Sequence, residues 1–342
     1  MIMHDVKLAV YGASGRTGEF VVREARRRGL DTIRIGRNPQ KLAAGADSAS
    51  GETRIAHVGD RASLDAALEG ASVVVNCAGP FFDTAIPVLD AALRRGIPYL
   101  DVAPEQAVVE AMFDTRGAAA QDAGVPVVPA AAFYGGLADL LASALVSDSG
   151  KIDEITVAIG LDSWHPTPGT RLTGQRNTVP RVLQRGGRLE VAPNPAPQSE
   201  WDFPEPIGPR AVVMQPFSEI ITMTRHLNVD TISPWLNLEP LQDLRDSSTP
   251  PPERNDRFGR SSQRFVMEVV VDRNGVQRLA SARGVDIYHI SAPIAVEAAM
   301  RLLTGDANHA AGVHAPGAMF DARSFLEGLD VDDFEVAYSE PP

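Results

Sequence analysis

The chain has 342 residues, of which 44% are apolar and 22% charged, a composition typical of a soluble globular protein with room for two domains. Its formal net charge of −12 argues against nucleic acid or an anionic membrane as a partner, since either would need a basic face. The single cysteine, Cys77, excludes an internal disulfide and a zinc-type cysteine cluster, so we predict no metal site.

A strand, a glycine-rich turn and a helix are the first predicted elements. The apolar run from Val6 to Tyr11 predicts the strand, and the helix is expected from Glu19 to Arg28. Between them, the three glycines would permit a tight turn, a close approach of the backbone to phosphates, and close packing of helix on strand. A helix N-terminus in this position favours a dinucleotide pyrophosphate. The cofactor-binding residues predicted here are Gly12, Ser14, Gly15, Arg16, Thr17 and Gly18.

The end of the second predicted strand indicates which dinucleotide binds. An NAD site would carry a carboxylate here for the ribose 2′-hydroxyl, but the sequence has none between Thr32 and Ala46. Arg37 and Lys41 stand there instead, and a guanidinium suits a 2′-phosphate. A solvated loop arginine is the alternative. We therefore predict NADP(H) as the cofactor.

Asp60 follows a third predicted strand, Thr53 to Val58. Two roles are open for its carboxylate. It could accept a hydrogen bond from the adenine amine, or it could cap a helix that begins near Arg61.

Strand and helix patterns go on alternating through the first third of the chain. Strands are predicted at Ser72–Asn76, Pro98–Val102 and Val125–Val128, with helices from Thr84 to Arg95 and from Glu105 to Gln121. This alternation predicts an α/β fold with an N-terminal, Rossmann-type, doubly wound parallel sheet.

The pattern changes after a helix from Leu137 to Ser147. We predict a long strand at Ile152–Leu161, a helix at Gly174–Arg185, an irregular proline-rich loop or lid over 192–210, and a β-hairpin around Asn274-Gly275. Hairpins indicate a second α+β domain with a mixed or antiparallel sheet. A helix from Ser291 to Leu303 should stop at Gly305. The predicted divisions are 1–133 for the dinucleotide domain, 134–290 for an α+β substrate and dimerisation domain, and 291–342 for a C-terminal helical segment that packs back near the first domain.

The segment after the fourth strand should face the nicotinamide end of the cofactor, because ligands of open α/β sheets lie beyond the carboxyl ends of the strands. The residues predicted to bind the cofactor here are Asn76, Ala78, Gly79, Pro80 and Phe81. Asp101 and Glu105 follow the next strand and could hold a ribose hydroxyl or polarise a substrate. Glu105 could instead serve only the dipole of the following helix.

Three stretches of the sequence resemble the saccharopine dehydrogenase-like NAD(P)-binding reductases. They are the motif from Gly12 to Gly18 with Gly36-Arg37, the run from Val73 to Phe81 continued by Ile97–Asp101 and Glu105, and the run from Ala132 to Asp139. The resemblance implies a Rossmann-type domain followed by a mixed-sheet domain that supplies substrate contacts and part of a dimer interface. Members of this family include opine-type amino-acid reductases and trans-acting enoyl reductases, so the resemblance does not fix the substrate.

The sequence has no tyrosine–lysine dyad of the short-chain dehydrogenase type, because no lysine follows Tyr134 by four residues. We therefore expect an NADPH-dependent oxidoreductase that reduces an activated C=C or C=N bond, which needs less proton-donating machinery. The alternative is an NADP(H)-binding redox-sensing or assembly partner without turnover.

Three residues are the catalytic candidates. Tyr134 could donate a proton or pack at the domain junction, His165 could be an acid, and Arg171 could bind a substrate carboxylate or phosphate or pair with a surface acid. The partner we expect is a small-molecule substrate, with a possible homodimer through the second domain. The sequence shows no signal-peptide pattern and no apolar run of about 18 residues, so we expect a cytoplasmic location.

Overall fold

The computed structural model describes residues 6–44, 51–308 and 310–339. Its first sheet has seven strands in the order β15-β6-β5-β4-β1-β2-β3, and all of its strand pairs are parallel. These strands are β1 (Lys7–Tyr11), β2 (Asp31–Gly36), β3 (Glu52–Ile55), β4 (Val73–Asn76), β5 (Tyr99–Asp101), β6 (Pro126–Val128) and β15 (Gly312–Val313). The predicted Rossmann-type sheet is confirmed.

Helices cover both faces of this sheet. They are α1 (Arg16–Arg27), α2 (Pro39–Ala44), α3 (Arg61–Ala67), α4 (Phe81–Arg95), α5 (Gln106–Asp122) and α6 (Ala138–Ala144). The apolar side chains of α3, α4 and α5 form one core, while α1 and α6 share a second core with the rest of the molecule. Helix α1 begins at Arg16, one turn before the predicted start, so the last part of the glycine motif is already helical.

A second seven-stranded sheet has the order β10-β11-β12-β7-β13-β14-β16 and is antiparallel except for the β12–β7 pair. Its strands are β7 (Ile152–Leu161), β10 (Gln198–Asp202), β11 (Pro209–Met214), β12 (Val229–Asn237), β13 (Arg264–Arg273), β14 (Val276–Val285) and β16 (Glu335–Tyr338), while β8 (Val182–Arg185) and β9 (Arg188–Val191) form a separate hairpin. The predicted hairpin around Asn274-Gly275 is confirmed, with positive φ angles at both residues. The second domain is thus the mixed-sheet α+β domain that the sequence predicts.

Two predicted elements of this domain are wrong. The helix expected at Gly174–Arg185 lies earlier, at Pro168–Arg176 (α7), because Thr167 caps it and Pro168 occupies its first turn. The proline-rich stretch 192–210 is not wholly irregular, since it contains β10. Prolines flank this strand on both sides but do not occur within it, so the strand keeps all its backbone N–H donors.

The C-terminal part of the chain joins both sheets. Its helices are α10 (Ile287–Thr304), α11 (Pro316–Met319) and α12 (Ala322–Glu327). The second domain contains two further helices, α8 (Glu219–Thr224) and α9 (Leu238–Arg245). Helix α10 begins before the predicted division at 291, packs along α1, and ends at Gly305 as expected. Arg28, the residue directly after α1, contacts Glu297 of α10 in an ion pair, and Glu297 also pairs with Arg301 at 2.6 Å. Within the described ranges, no helix is both long and apolar enough to cross a membrane.

Gly18 is predicted to allow α1 to pack closely on the turn before it. A Cβ atom at this position would lie within 2.9 Å of Ala13 Cα and still closer to the Gly12 carbonyl oxygen. Gly18→Ala should therefore lower the free energy of unfolding by about 3 kcal/mol, because backbone atoms cannot yield as a flexible side chain would.

Gly117→Ala is the matched control for this prediction. Gly117 lies inside α5, and a Cβ there would meet nothing within 4 Å, so alanine should raise the free energy of unfolding by about 0.5–1 kcal/mol. Urea denaturation of both variants measures the difference. Equal stability of the two variants would contradict the packing role of Gly18.

Candidate active site

A cavity of about 1000 Å³ lies between the carboxyl ends of the first sheet and the second domain. The loops after β1, β2 and β4 form one side of it, and the second domain forms the other. The residues that line it include twelve of the predicted site residues: Gly12, Ser14, Gly15, Arg16, Thr17, Arg37, Lys41, Ala78, Gly79, Pro80, Phe81 and Tyr134. The cavity therefore runs from the glycine motif to the second domain.

The glycine motif leaves its backbone open to this cavity. Gly12 has φ of +86°, and a Cβ on it would lie 2.8 Å from the Ala78 nitrogen. Gly15 is the N-cap of α1 and provides no capping side chain, so the first N–H groups of the helix have no side-chain acceptor there. A Cβ on Gly15 would contact only the Gly12 carbonyl oxygen, at 3.3 Å. An uncapped, cavity-facing helix N-terminus fits a pyrophosphate.

Arg37 and Lys41 form a cationic end of the cavity. Both are exposed, and no described residue provides either side chain with a hydrogen-bond or ion-pair partner. Nearby, burial raises the pKa of Tyr11, and the charge of Arg37 opposes that shift. Two free cations in this position fit a 2′-phosphate dianion.

Asn76 does not line the cavity, but it fixes the conformation of the loop after β4 that does. Its side chain is fully buried, and its Oδ1 accepts a hydrogen bond from the Ala78 nitrogen at 3.0 Å. Its Nδ2 donates to Tyr99 Oη at 3.3 Å and to Thr84 Oγ1 at 3.4 Å. The predicted cofactor contact of Asn76 is thus replaced by a structural role: it fixes the loop that carries Gly79 and Phe81.

Two further predicted cofactor ligands use their side chains elsewhere. The Arg16 guanidinium donates to the carbonyl oxygens of Pro252 and Glu253 at 3.1 Å and to Asp286 Oδ2 at 2.7 Å. Asp60 lies outside the cavity and takes the second of its two expected roles, since its Oδ1 accepts from the Ala62 nitrogen at 3.0 Å and caps α3. His57 and Val58 line the cavity in that region instead.

Of the three catalytic candidates, only Tyr134 lines the cavity. Arg171 donates to the carbonyl oxygens of Leu244, Asp246 and Thr249 at 2.8–3.1 Å and so holds the loop after α9 rather than an anion. His165 is also outside the lining. The Tyr134 hydroxyl is buried without a hydrogen-bond partner among the described residues, and burial raises the pKa of Tyr134 well above its ordinary value.

Glu105, which the sequence left open between two roles, also lines the cavity. Its Oε1 accepts from the Phe81 nitrogen at 3.4 Å, while its Oε2 is buried and has no partner among the described residues. Burial raises the pKa of this carboxyl to about 7. An acid of this kind can hold or release a proton near neutral pH.

Several residues at the end of the cavity far from Arg37 are not recognisable as site residues in the sequence. Arg181, Phe217 and Tyr288 line it, but they come from distant parts of the second domain. Arg181 lies in a segment wrongly predicted to be helical, and Phe217 has no local motif. Among the described residues, no group of three or more His, Cys, Asp or Glu side chains is placed to hold a metal ion.

The fold and the site define a Rossmann-type dinucleotide domain joined to a mixed-sheet domain across one large cavity. Residues 8–128 match the saccharopine dehydrogenase NADP binding domain. This match confirms the resemblance seen in the sequence and the predicted NADP(H) cofactor.

Curated relatives are similar to the same part of the chain. A human saccharopine dehydrogenase-like oxidoreductase is 32% identical over 152 residues, and a lipid droplet localized protein of Caenorhabditis elegans is 32% identical over 153 residues. These alignments cover 39% and 41% of this chain and 35% of each relative, so the chain spans about a third of the length of these relatives. Saccharopine dehydrogenase (L-Glu forming) of Saccharomyces cerevisiae shares the fold over 98% of this chain and 100% of that one, with a TM-score of 0.67 and 12% identity.

The free guanidinium of Arg37 should make the protein prefer NADPH to NADH. Arg37→Asp should reverse this preference, with a loss of about 2–3 kcal/mol in NADPH binding, because a carboxylate repels the 2′-phosphate. Calorimetric dissociation constants for both cofactors measure the effect, and Arg61→Asp, outside the cavity, is the control. Equal affinities of the wild type for NADPH and NADH would rule out this role.

Gly15 should tolerate a side chain in the fold but not in the cofactor complex. Gly15 has φ of −83° and ψ of 161°, which any residue can adopt. Gly15→Val should therefore unfold close to the wild-type temperature while its NADPH affinity falls at least about tenfold, since the new methyl groups occupy the phosphate position. Wild-type affinity in a folded Gly15→Val protein would mean that the pyrophosphate lies elsewhere.

Proposed function

We propose that the protein is an NADPH-dependent oxidoreductase that transfers hydride to an activated C=C or C=N bond of a small molecule or biosynthetic intermediate. The observation that carries this proposal is the continuity of the cavity. It joins the phosphate-binding turn and Arg37 at one end to Glu105 and Tyr134 at the other. NADPH supplies the hydride when bound; the side chains of this chain supply binding, orientation and a proton.

Glu105 is the group best suited to exchange that proton. It lies against the backbone of Phe81, in the loop where the strand order predicts the nicotinamide end. Its free Oε2 carries no competing hydrogen bond from the described residues. With a pKa raised to about 7, a large fraction of Glu105 is protonated at neutral pH. Glu105 can therefore deliver a proton at Oε2 to a substrate that has accepted hydride.

Tyr134 has a different role in this proposal. Burial keeps its phenol protonated, because the pKa of Tyr134 lies well above its ordinary value. A phenol that stays protonated is a hydrogen-bond donor to substrate rather than an efficient acid at neutral pH. Its unpartnered hydroxyl is available for such a bond.

Helix α7 closes the cavity on the solvent side. None of its residues is buried, yet Thr170 and Thr173 line the cavity. The helix is held at its first turn by Arg171 and at its end by the Arg176–Asp83 ion pair at 2.7 Å. Because α7 packs over a cavity rather than on a core, we infer that it excludes water when the site is filled.

Deuteride transfer tests the proposed reaction. NADPH that carries deuterium at C4 of its nicotinamide ring is incubated with a panel of enoyl and imine acceptors. Deuterium in a reduced product is then measured by mass spectrometry. We expect transfer to at least one acceptor. Tight NADPH binding with no transfer to any of them would contradict the proposed reductase and favour the redox-sensing or assembly alternative.

Glu105→Gln should lower kcat by about a hundredfold while the NADPH dissociation constant stays unchanged, because the amide keeps the shape but cannot give a proton. As a donor, Glu105 must be protonated, so wild-type activity should fall as the pH rises through about 7, and this fall should disappear in Glu105→Gln. Burial also raises the pKa of Glu219 to about 7, so loss of this pH limb in the variant is needed to assign it to Glu105. Glu110→Gln, on α5 outside the cavity, is the control; an unchanged pH profile in Glu105→Gln would exclude Glu105 as the donor.

A further inference from the structure

Arg181 lies at the end of the cavity far from Arg37 and forms no direct ion pair with the described residues. It precedes β8, lines the cavity and is mostly shielded from solvent. No described carboxylate lies within ion-pair distance of it; its Nη1 donates to the carbonyl oxygen of Pro216 at 2.6 Å, and its Nη2 donates to the side-chain oxygen of Gln215 at 3.0 Å once that amide is oriented with its oxygen towards the guanidinium. Burial lowers the pKa of this guanidinium, and the charge of the buried Glu219 carboxyl opposes that shift. A guanidinium has five N–H donors, so an arginine that uses two of them in this way and lies beside a cavity can still bind an anion.

Three stacked aromatic residues extend from this arginine along the cavity, and we call them the inner wall: Phe217, Tyr134 and Trp164. The Arg181 Cζ lies 5.2 Å from the centroid of the Phe217 ring. The Phe217 and Tyr134 ring centroids are 4.2 Å apart, and those of Tyr134 and Trp164 are 5.7 Å apart. The inner wall thus offers an apolar surface next to one positive charge.

The one unsatisfied polar group on the inner wall among the described residues is the Tyr134 hydroxyl. Burial and the charges of Tyr288 and Glu219 raise the pKa of this phenol, and the charge of Arg181 acts in the opposite direction. By contrast, the Tyr288 hydroxyl is satisfied by Trp164 Nε1 at 3.1 Å and Thr170 Oγ1 at 3.0 Å. Arg181 and Tyr134 therefore remain as the two donors for a ligand.

The other cations that line the cavity are committed elsewhere. Arg16 holds the chain around Pro252, and Arg254 pairs with a glutamate of α1. Arg37 and Lys41 belong to the 2′-phosphate end. Arg181 is thus the single described cation available at the inner wall, and it can neutralise one negative charge.

We propose that the inner wall and Arg181 bind a substrate with one carboxylate joined to an apolar body. The carboxylate lies against Arg181 and the Tyr134 hydroxyl, and the apolar body lies on the rings of Phe217 and Trp164. This inference rests on the proposed function in that it assigns the substrate end of the same cavity. It narrows the acceptor to a monocarboxylic enoyl or imino compound.

Binding to the NADP⁺-saturated protein tests this inference without any turnover. Calorimetry compares phenylacetate with phenylacetamide, which has the same shape but no charge, and with phenylsuccinate, which has a second carboxylate. We expect phenylacetate to bind at least about tenfold more tightly than phenylacetamide, and phenylsuccinate to gain nothing over phenylacetate. Equal affinities for phenylacetate and phenylacetamide would overturn the proposal. A tenfold higher affinity for phenylsuccinate than for phenylacetate would contradict the claim that the site binds only one carboxylate.

Arg181→Gln should remove the preference for phenylacetate over phenylacetamide while NADP⁺ still binds as in the wild type. Arg225→Gln is a matched control, because Arg225 also lies over a phenylalanine ring, 4.9 Å from the Phe113 centroid, but outside the cavity. A preference retained in folded Arg181→Gln would overturn the role of Arg181. If Arg181→Gln does not fold, the comparison of phenylacetate with phenylacetamide in the wild type still tests the carboxylate site.

The two proposals fail in different ways. Phenylacetate selectivity without deuteride transfer to any acceptor would support the binding site and contradict the reductase. Deuteride transfer to neutral acceptors, together with equal affinity for phenylacetate and phenylacetamide, would support the reductase and overturn the carboxylate site.

Discussion

The contact between Arg16 and Asp286 ties the phosphate-binding turn to the second domain. Asp286 is fully buried at the start of α10, where its Oδ1 accepts from the Tyr288 nitrogen at 2.9 Å and its Oδ2 accepts from Ser261 at 2.8 Å as well as from Arg16. A carboxylate buried this deeply must stay paired, because an uncompensated charge there would cost several kcal/mol. The glycine turn, the start of α10 and the chain around Pro252 are therefore held as one unit, and the cavity is the space that they enclose with the second sheet.

This arrangement gives the cavity two chemically different ends. Exposed cations lie at the end near β2, where a highly charged nucleotide can be neutralised in contact with water. Aromatic rings and a single shielded arginine lie at the other end. At this inner end, Glu105 also contacts Phe81, in the loop fixed by Asn76. The outer end can thus neutralise the charge of the nucleotide. The inner end provides the less polar environment that favours proton exchange with Glu105.

The sequence predicted those features that depend on neighbouring residues. The glycine spacing, the Asn274-Gly275 turn and the alternation of strands and helices each follow from local backbone chemistry, and the structure has them. Arg16, Arg171 and Asp60 have residue types suited to a site, but their side chains bond to other parts of the protein. Arg16 and Arg171 contact residues far along the chain, and Asp60 caps its own helix. The inner wall could not be predicted, because Phe217 and Trp164 meet Tyr134 only through tertiary packing. The prolines on both sides of β10 led to the prediction of an irregular loop, although the residues of the strand itself pair regularly with β11.

A crystal structure of the NADP⁺ complex is the most direct test of the claim that one cavity serves both cofactor and substrate. We expect the 2′-phosphate on Arg37, the pyrophosphate at the start of α1, and the nicotinamide ring between the Gly79–Phe81 loop and Glu105, facing Tyr134. A cofactor whose nicotinamide ring points away from Glu105 and the second domain would contradict it.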